Sequence, residues 1–187
     1  MAEICGILLA AGFSRRFGSN KLLHNLPEGT PIAVAAARHM VSAMPRTVAV
    51  VRPGAKRLAQ LLCEAGCEVV TSRNARDGMG ASLASGVRAS GDAHGWVVAL
   101  ADMPFIRPAT IRSVAAELGA GGVIVAPFRG GLRGHPVGLA RRFREDILGL
   151  SGDQGARTLL QKHPDWITLL ESDDPGILQD IDTPGDL

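Results

Sequence analysis

The chain has 187 residues, enough for one domain with a substantial core, since a domain of about 150 residues buries roughly 68–70% of its unfolded surface. Twenty basic and eighteen acidic residues leave a formal charge of +2, too balanced for a general nucleic-acid binder, whose footprint is a strongly basic face. Three cysteines form an odd set that argues against a disulfide framework, and an N-terminal apolar run of about eight residues is too short for a signal peptide or a membrane span, so a cytoplasmic enzyme without a membrane partner is expected.

Ile4 to Leu9 reads as a strand that is apolar on both faces. It runs straight into a glycine-punctuated loop, Ala10-Ala11-Gly12-Phe13-Ser14-Arg15-Arg16-Phe17-Gly18-Ser19-Asn20-Lys21. Backbone N–H groups at the end of a buried strand, together with Arg16 and Lys21, offer a triphosphate what it needs; Arg15 is expected to face solvent. A P-loop is excluded, because Lys21 lies three residues beyond Gly18 and Leu22 stands where the magnesium-binding hydroxyl belongs. A dinucleotide fingerprint is excluded too: the nearest approach, Gly78-Met79-Gly80, has Leu83 where the third glycine falls.

Further along, Thr30-Pro31 supplies an N-cap and an N1 proline for a helix to about Met44. A strand follows at Thr47–Val51, then a helix over Ala55–Ala65 that stops at Gly66; Cys63 and Cys67, four apart in an apolar stretch, read as buried small apolar residues on one face. Strands at Trp96–Leu100 and Val123–Ala126 bracket a helix from Pro108 to Gly119. The glycine-rich stretches 78–80, 119–122 and 130–134 are short enough to be strand-end loops. Alternating strands and helices, with strands apolar on both faces, predict a single α/β domain whose mainly parallel sheet is covered on both sides. Gly12, Asp102 and the Gly78–Gly80 turn then crowd one edge of it, where ligands of open α/β sheets bind. Trp96 and Trp166 read as core.

Two acidic positions stand out. Asp102, between a strand end and Met103-Pro104, fits an Asx turn, a helix cap or a cation ligand. Asp182, in Asp182-Thr183-Pro184, fits the cap of a short turn or a second cation ligand, with Asp180 as a structural neighbour. Asp153 reads as the cap of a helix starting near Gln154, and Ser82 as a helix-start residue or a contact to a base or ribose.

The pattern Leu-x-Ala-Gly-x-Ser-x-Arg-x-Gly-x-x-Lys in residues 8–21 resembles the MobA-like nucleotidyltransferases and, within them, the molybdenum cofactor cytidylyltransferases. The resemblance continues in order through Gly80-Ala81-Ser82-Leu83, Ala101-Asp102-Met103-Pro104, Gly134-His135-Pro136-Val137, Gly152-Asp153-Gln154-Gly155-Ala156-Arg157 and Asp180-Ile181-Asp182-Thr183-Pro184. One departure is Gly185, where the family often carries an acidic residue. The resemblance implies a three-layer α/β/α, Rossmann-like fold of the nucleotide-diphospho-sugar transferase type over residues 1–187. It implies Mg2+ on Asp102 and Asp182, Arg16 and Lys21 with Asp102 as the catalytic set, and a nucleotide held by Leu9, Ala10, Ala11, Gly12, Arg16, Lys21, Gly80 and Ser82. Ala10-Ala11-Gly12 goes with cytidine enzymes in the family, so CTP is the nucleotide expected. The implied acceptor is molybdopterin cofactor, met by Arg133, His135 and Arg157, with a molybdoenzyme or its chaperone as a further partner. Because a terminal phosphate is already largely ionised near neutral pH, a second phosphate pKa lying near 6, the chemistry needs no general base. Rival expectations are a sugar phosphate or phosphorylated alcohol as acceptor, GTP in place of CTP, or a delivery module that binds nucleotide without turnover.

Overall fold

A computed structural model describes residues 3–12, 20–150, 152 and 155–186. Among these, eight strands form one sheet: β1 (Ile4–Ala10), β2 (Thr47–Val51), β3 (Glu68–Thr71), β4 (Gly95–Leu100), β5 (Ile124–Arg129), β6 (Leu132–Arg133), β7 (Val137–Ala140) and β8 (Ile167–Glu171). The helices are α1 (Ile32–Ala43), α2 (Lys56–Glu64), α3 (Met79–Ala89), α4 (Pro108–Gly119), α5 (Arg144–Leu148) and α6 (Arg157–Lys162). None of them is long and apolar enough to cross a membrane.

Strands β3, β2, β1 and β4 lie side by side and parallel. Along β1, β2 and β4 the side chains alternate between two cores, which is why each reads as an apolar run, whereas β3 at the sheet edge has exposed ends. Leu8, Ala10, Ala49, Val51, Val97 and Ala99 face the core that also receives α1, α2 and α4. Cys5, Ile7, Val48, Val50, Trp96 and Val98 face the other, with residues of α3, α5 and α6. Trp96 is fully buried there, and its indole N–H donates to Ser90 Oγ at 2.7 Å. The three-layer α/β/α architecture expected from the sequence is therefore the one observed.

The second half of the sheet is where local pattern and structure part. Gly130 and Gly131, at φ of 56° and 84°, make a two-residue turn that pairs Arg129 with Leu132; positive φ at both central positions is what a tight hairpin requires. The chain returns through β6 and then β7, which runs antiparallel to both β4 and β5. The stretch 130–134 is thus a hairpin, and the mainly parallel sheet carries a reversed strand. β8 adds to β5 in parallel.

Several local expectations are corrected. The α1 cap is Pro31 rather than Thr30, whose carbonyl is engaged by the Leu26 N–H at 2.8 Å. β5 starts at Ile124 and runs to Arg129, past the expected end. Gly78 is the N-cap of α3 rather than part of a strand-end loop. Trp166 is 40% exposed and lies under the Arg142 guanidinium, 4.3 Å from the ring centroid, with His163 stacked on it. Cys67 lies beyond α2 and is buried, whereas Cys63 is exposed, so the two do not share a buried helix face.

Burial pushes the thiols of Cys5 and Cys67 up to about 11, so both are neutral and shielded near pH 8. Alkylation of the native protein with iodoacetamide at about pH 8, read by peptide mass spectrometry, is expected to label Cys63 first. Labelling of Cys67 at the rate of Cys63 would contradict the placement of both.

Candidate active site

The parallel strands β1 and β4 end together, with Leu9 opposite Leu100, and the Ala101 N–H donates to the Leu9 carbonyl at 3.0 Å. Ala101 and Met103 are buried in the core, so the chain between them turns Asp102 outward at the strand end. Lys21 opens a short 3-10 turn whose next residue, Leu22, plugs the same core. That anchor presents the lysine to the strand end although the preceding loop is long.

Lys21 is 8% exposed, and its Nζ lies 2.8 Å from Asp102 Oδ2 and 2.9 Å from Asp182 Oδ1. The two carboxylate oxygens are therefore no farther apart than the sum of those distances, about 5.7 Å. Two acidic residues from distant parts of the chain meet at one ammonium, and the requirement that they approach within about 8 Å to share a divalent ion is met. Burial alone lowers the Lys21 pKa. The hydrogen bonds and charges of Asp102 and Asp182 outweigh it, and the net direction is upward from 10.5.

Asp102 thus directs its carboxylate at Lys21. The short turn after Asp182 is closed by a different acid: Asp186 Oδ2 accepts from the N–H groups of Asp182 and Thr183, at 3.0 and 2.7 Å, and from Thr183 Oγ at 3.0 Å. Those hydrogen bonds, chiefly from Thr183, hold the exposed Asp186 carboxyl below its usual range. An acid two residues after Pro184 closes this turn where Gly185 has no side chain to do so.

His135 sits half-buried beside this cluster. Burial pushes its imidazole below the ordinary histidine value, against the opposing fields of Asp102 and Asp180. Its Nδ1 is buried without a hydrogen-bond partner among the described residues. Arg133 and Arg157 are exposed, on β6 and at the start of α6. At the other side, Ala11 is buried and Gly12 exposed with open space around its Cα. The Gly80 N–H donates to the Gly152 carbonyl at 2.9 Å, and the buried Ser82 Oγ turns back to the Gly78 carbonyl at 3.4 Å. Arg15, Arg16, Gly18, Asp153 and Gln154 lie outside the described residues. Sequence reasoning missed Asp186, which closes the turn after Asp182, and the buried Asp174, whose Oδ2 serves residues far earlier in the chain.

Two carboxylates that converge on one ammonium are a compact anionic donor pair. Among the described residues no third His, Cys, Asp or Glu joins them, and two carboxylates are what Mg2+ ordinarily takes from a protein when phosphates supply other ligands. The donor set fits a hard divalent ion.

Residues 6–166 match the MobA-like NTP transferase domain. The chain belongs to that family. It is 32% identical to the purine catabolism protein PucB of Bacillus subtilis over 201 aligned positions, covering 97% of this chain and 92% of PucB. Among solved structures it resembles Rv0371c of Mycobacterium tuberculosis, with a TM-score of 0.86, 27% identity, and 99% and 95% of the two chains covered. Another structure of Rv0371c, a complex with manganese, superposes at a TM-score of 0.80 with 25% identity, covering 98% of this chain and 95% of that one. A nucleotidyl transferase from Methanothermobacter superposes at 0.85 with 25% identity over 98% of this chain and 94% of its own. As a MobA-like protein the chain is a nucleotidyltransferase, with its acidic pair and Lys21 at the sheet edge where α/β ligands bind.

The Lys21 ion pairs carry a pH signature. A lysine whose folded pKa is raised contributes stability that is complete below about 10.5, the unfolded value, and is lost as pH rises through the folded one. Lys21→Met removes this contribution, so the stability deficit of the variant is expected to be flat between about pH 8 and about pH 10 and to shrink as pH rises through the folded lysine value. Thermal unfolding of both proteins from about pH 8 to about pH 11 checks it; a deficit that did not shrink at high pH would mean that the lysine ion pairs do not stabilise the fold.

Proposed function

We propose that the protein is a Mg2+-dependent cytidylyltransferase that joins CTP to the terminal phosphate of molybdopterin cofactor. An acceptor phosphate oxygen attacks the α-phosphorus in line, a new P–O bond forms, the bond to the β-phosphate bridge breaks, and pyrophosphate leaves. The observation that carries this reading is the convergence of Asp102 and Asp182 on the Lys21 ammonium, in a chain whose residues 6–166 match the MobA-like NTP transferase domain. When bound, a divalent ion supplies neutralisation of the charge that builds on the phosphates.

In this reading Asp102 and Asp182 would hold the ion, and Lys21 would serve the phosphates. Lys21 then acts as a mobile point charge and Arg16 as a planar fork on the triphosphate. Leu9, Ala10, Ala11 and Gly12, with Gly80 and Ser82, hold the base and ribose, and the Ala10-Ala11-Gly12 run favours CTP over GTP. Arg133, His135 and Arg157 receive the acceptor, with a neutral imidazole at His135 because burial depresses its pKa. The setting is cytoplasmic, and a molybdoenzyme or its chaperone takes the product. The manganese complex of Rv0371c supports a divalent ion in a fold of this kind.

Pyrophosphate release from CTP or GTP with purified molybdopterin cofactor tests this reading, and CTP is expected to be the better substrate. Asp102→Asn is expected to reduce turnover at least as much as loss of an oxyanion donor does, about 10²–10³-fold. Near-normal turnover of that variant at saturating magnesium and CTP contradicts the assignment. Nucleotide binding without pyrophosphate from any phosphorylated acceptor would instead favour a delivery module.

A further inference from the structure

Asp174 is 1% exposed, yet it is a carboxylate outside the ion cluster. Its Oδ2 accepts from the Arg107 N–H at 2.8 Å and from Thr110 Oγ at 2.7 Å, both at the start of α4. Its Oδ1 accepts from the Gly176 N–H at 2.9 Å. Helix α4 has no side-chain cap of its own, so Asp174 caps it from elsewhere in the chain. A buried carboxylate is costly unless its oxygens are satisfied, and here charge-assisted hydrogen bonds and the positive end of α4 offset that cost.

Residues 174–182 form a strap leading from this anchor to the cation pair. Gly176 lies on the Phe105 carbonyl so closely that a Cβ would collide with it. The Ile177 carbonyl accepts from the His135 N–H at 3.0 Å, and the Ile181 N–H donates to the Asp102 carbonyl at 2.9 Å. The next residue is Asp182. Between these stitches Leu178, Gln179 and Asp180 are exposed while Ile177 and Ile181 are buried, so the strap is pinned at both ends of its exposed stretch and the Asp174 anchor acts on the first of them.

We infer that Asp174 is a positioning residue that holds Asp182 opposite Asp102, so that affinity for a divalent cation depends on a carboxylate that never touches the ion. This rests on Asp182 being a cation ligand. Partners one step removed from a metal commonly change its affinity by about 10–100-fold when altered, and Asp174, acting through the strap, is expected near the lower end.

Mn2+ binding to the full chain, followed by the electron paramagnetic resonance signal of the free ion, tests it alongside thermal unfolding. Asp182→Asn is expected to weaken Mn2+ binding by at least about tenfold and Asp174→Asn by about tenfold. Thr110→Val, which removes one of the anchor's hydrogen bonds, should move affinity the same way by a smaller factor. Ser90→Ala, which unpairs the buried Trp96 indole away from the strap, should lower Tm and leave Mn2+ affinity unchanged. If Asp174→Asn is folded and binds Mn2+ like the wild type while Asp182→Asn does not, the positioning role is wrong. Should Asp174→Asn fail to fold, wild-type affinity in Thr110→Val overturns it equally. If Asp182→Asn itself binds normally, the cation assignment falls, and the role of Asp174 with it.

Discussion

The ammonium of Lys21 between the carboxylates of Asp102 and Asp182 is the contact around which the rest of the site is arranged. A buried lysine and two acids would each be expensive to desolvate alone, and they are tolerable here because the three charges share one place. The arrangement leaves a net charge of −1 on the trio. Everything needed to assemble it comes from three separate parts of the chain: a turn after the glycine loop, the end of β4, and the strap that follows β8.

The parallel half of the sheet supplies rigidity. β1 and β4 are buried on both faces and end in register, so Asp102 is delivered by a strand that has little freedom to move. Asp182 has no such support from regular structure. Its position depends on hydrogen bonds to loops that flank Asp102, on glycines that let backbones pass in contact, and on the Asp174 anchor under α4. The reversed strand β7 contributes indirectly, because the Gly134-His135 segment that leads into it receives the strap at Ile177. The hairpin insertion is thus part of how the second acid reaches the first.

The parts of this that were legible in the amino-acid order are those written locally. Strands β1, β2 and β4 announce themselves by apolar runs, and α4 by Pro108 and the closing glycines. Lys21 and Asp102 are legible because a glycine-punctuated basic run and a strand-end acid have short-range signatures. Asp182 was legible as a candidate, through a resemblance of motif, although nothing nearby says which residue it meets. By contrast, β6 is two residues long and β7 four, and their pairing depends on partners that a local pattern does not specify. Asp174 caps its own turn through one oxygen. Its second oxygen serves residues 64 and 67 positions earlier, and no period or motif encodes that distance. Trp166 and Cys63 misled for a related reason, since apolar character sets a preference for burial but the fold decides which such residues are covered.

The most direct measurement is a crystal structure of the protein with Mn2+ and CTP, in which anomalous scattering locates the metal independently of the surrounding density. The account predicts one manganese peak bridging Asp102 and Asp182, with the Lys21 ammonium withdrawn from both carboxylates and resting on the phosphates. A peak elsewhere, with Lys21 still paired to both acids while CTP is bound, would contradict it.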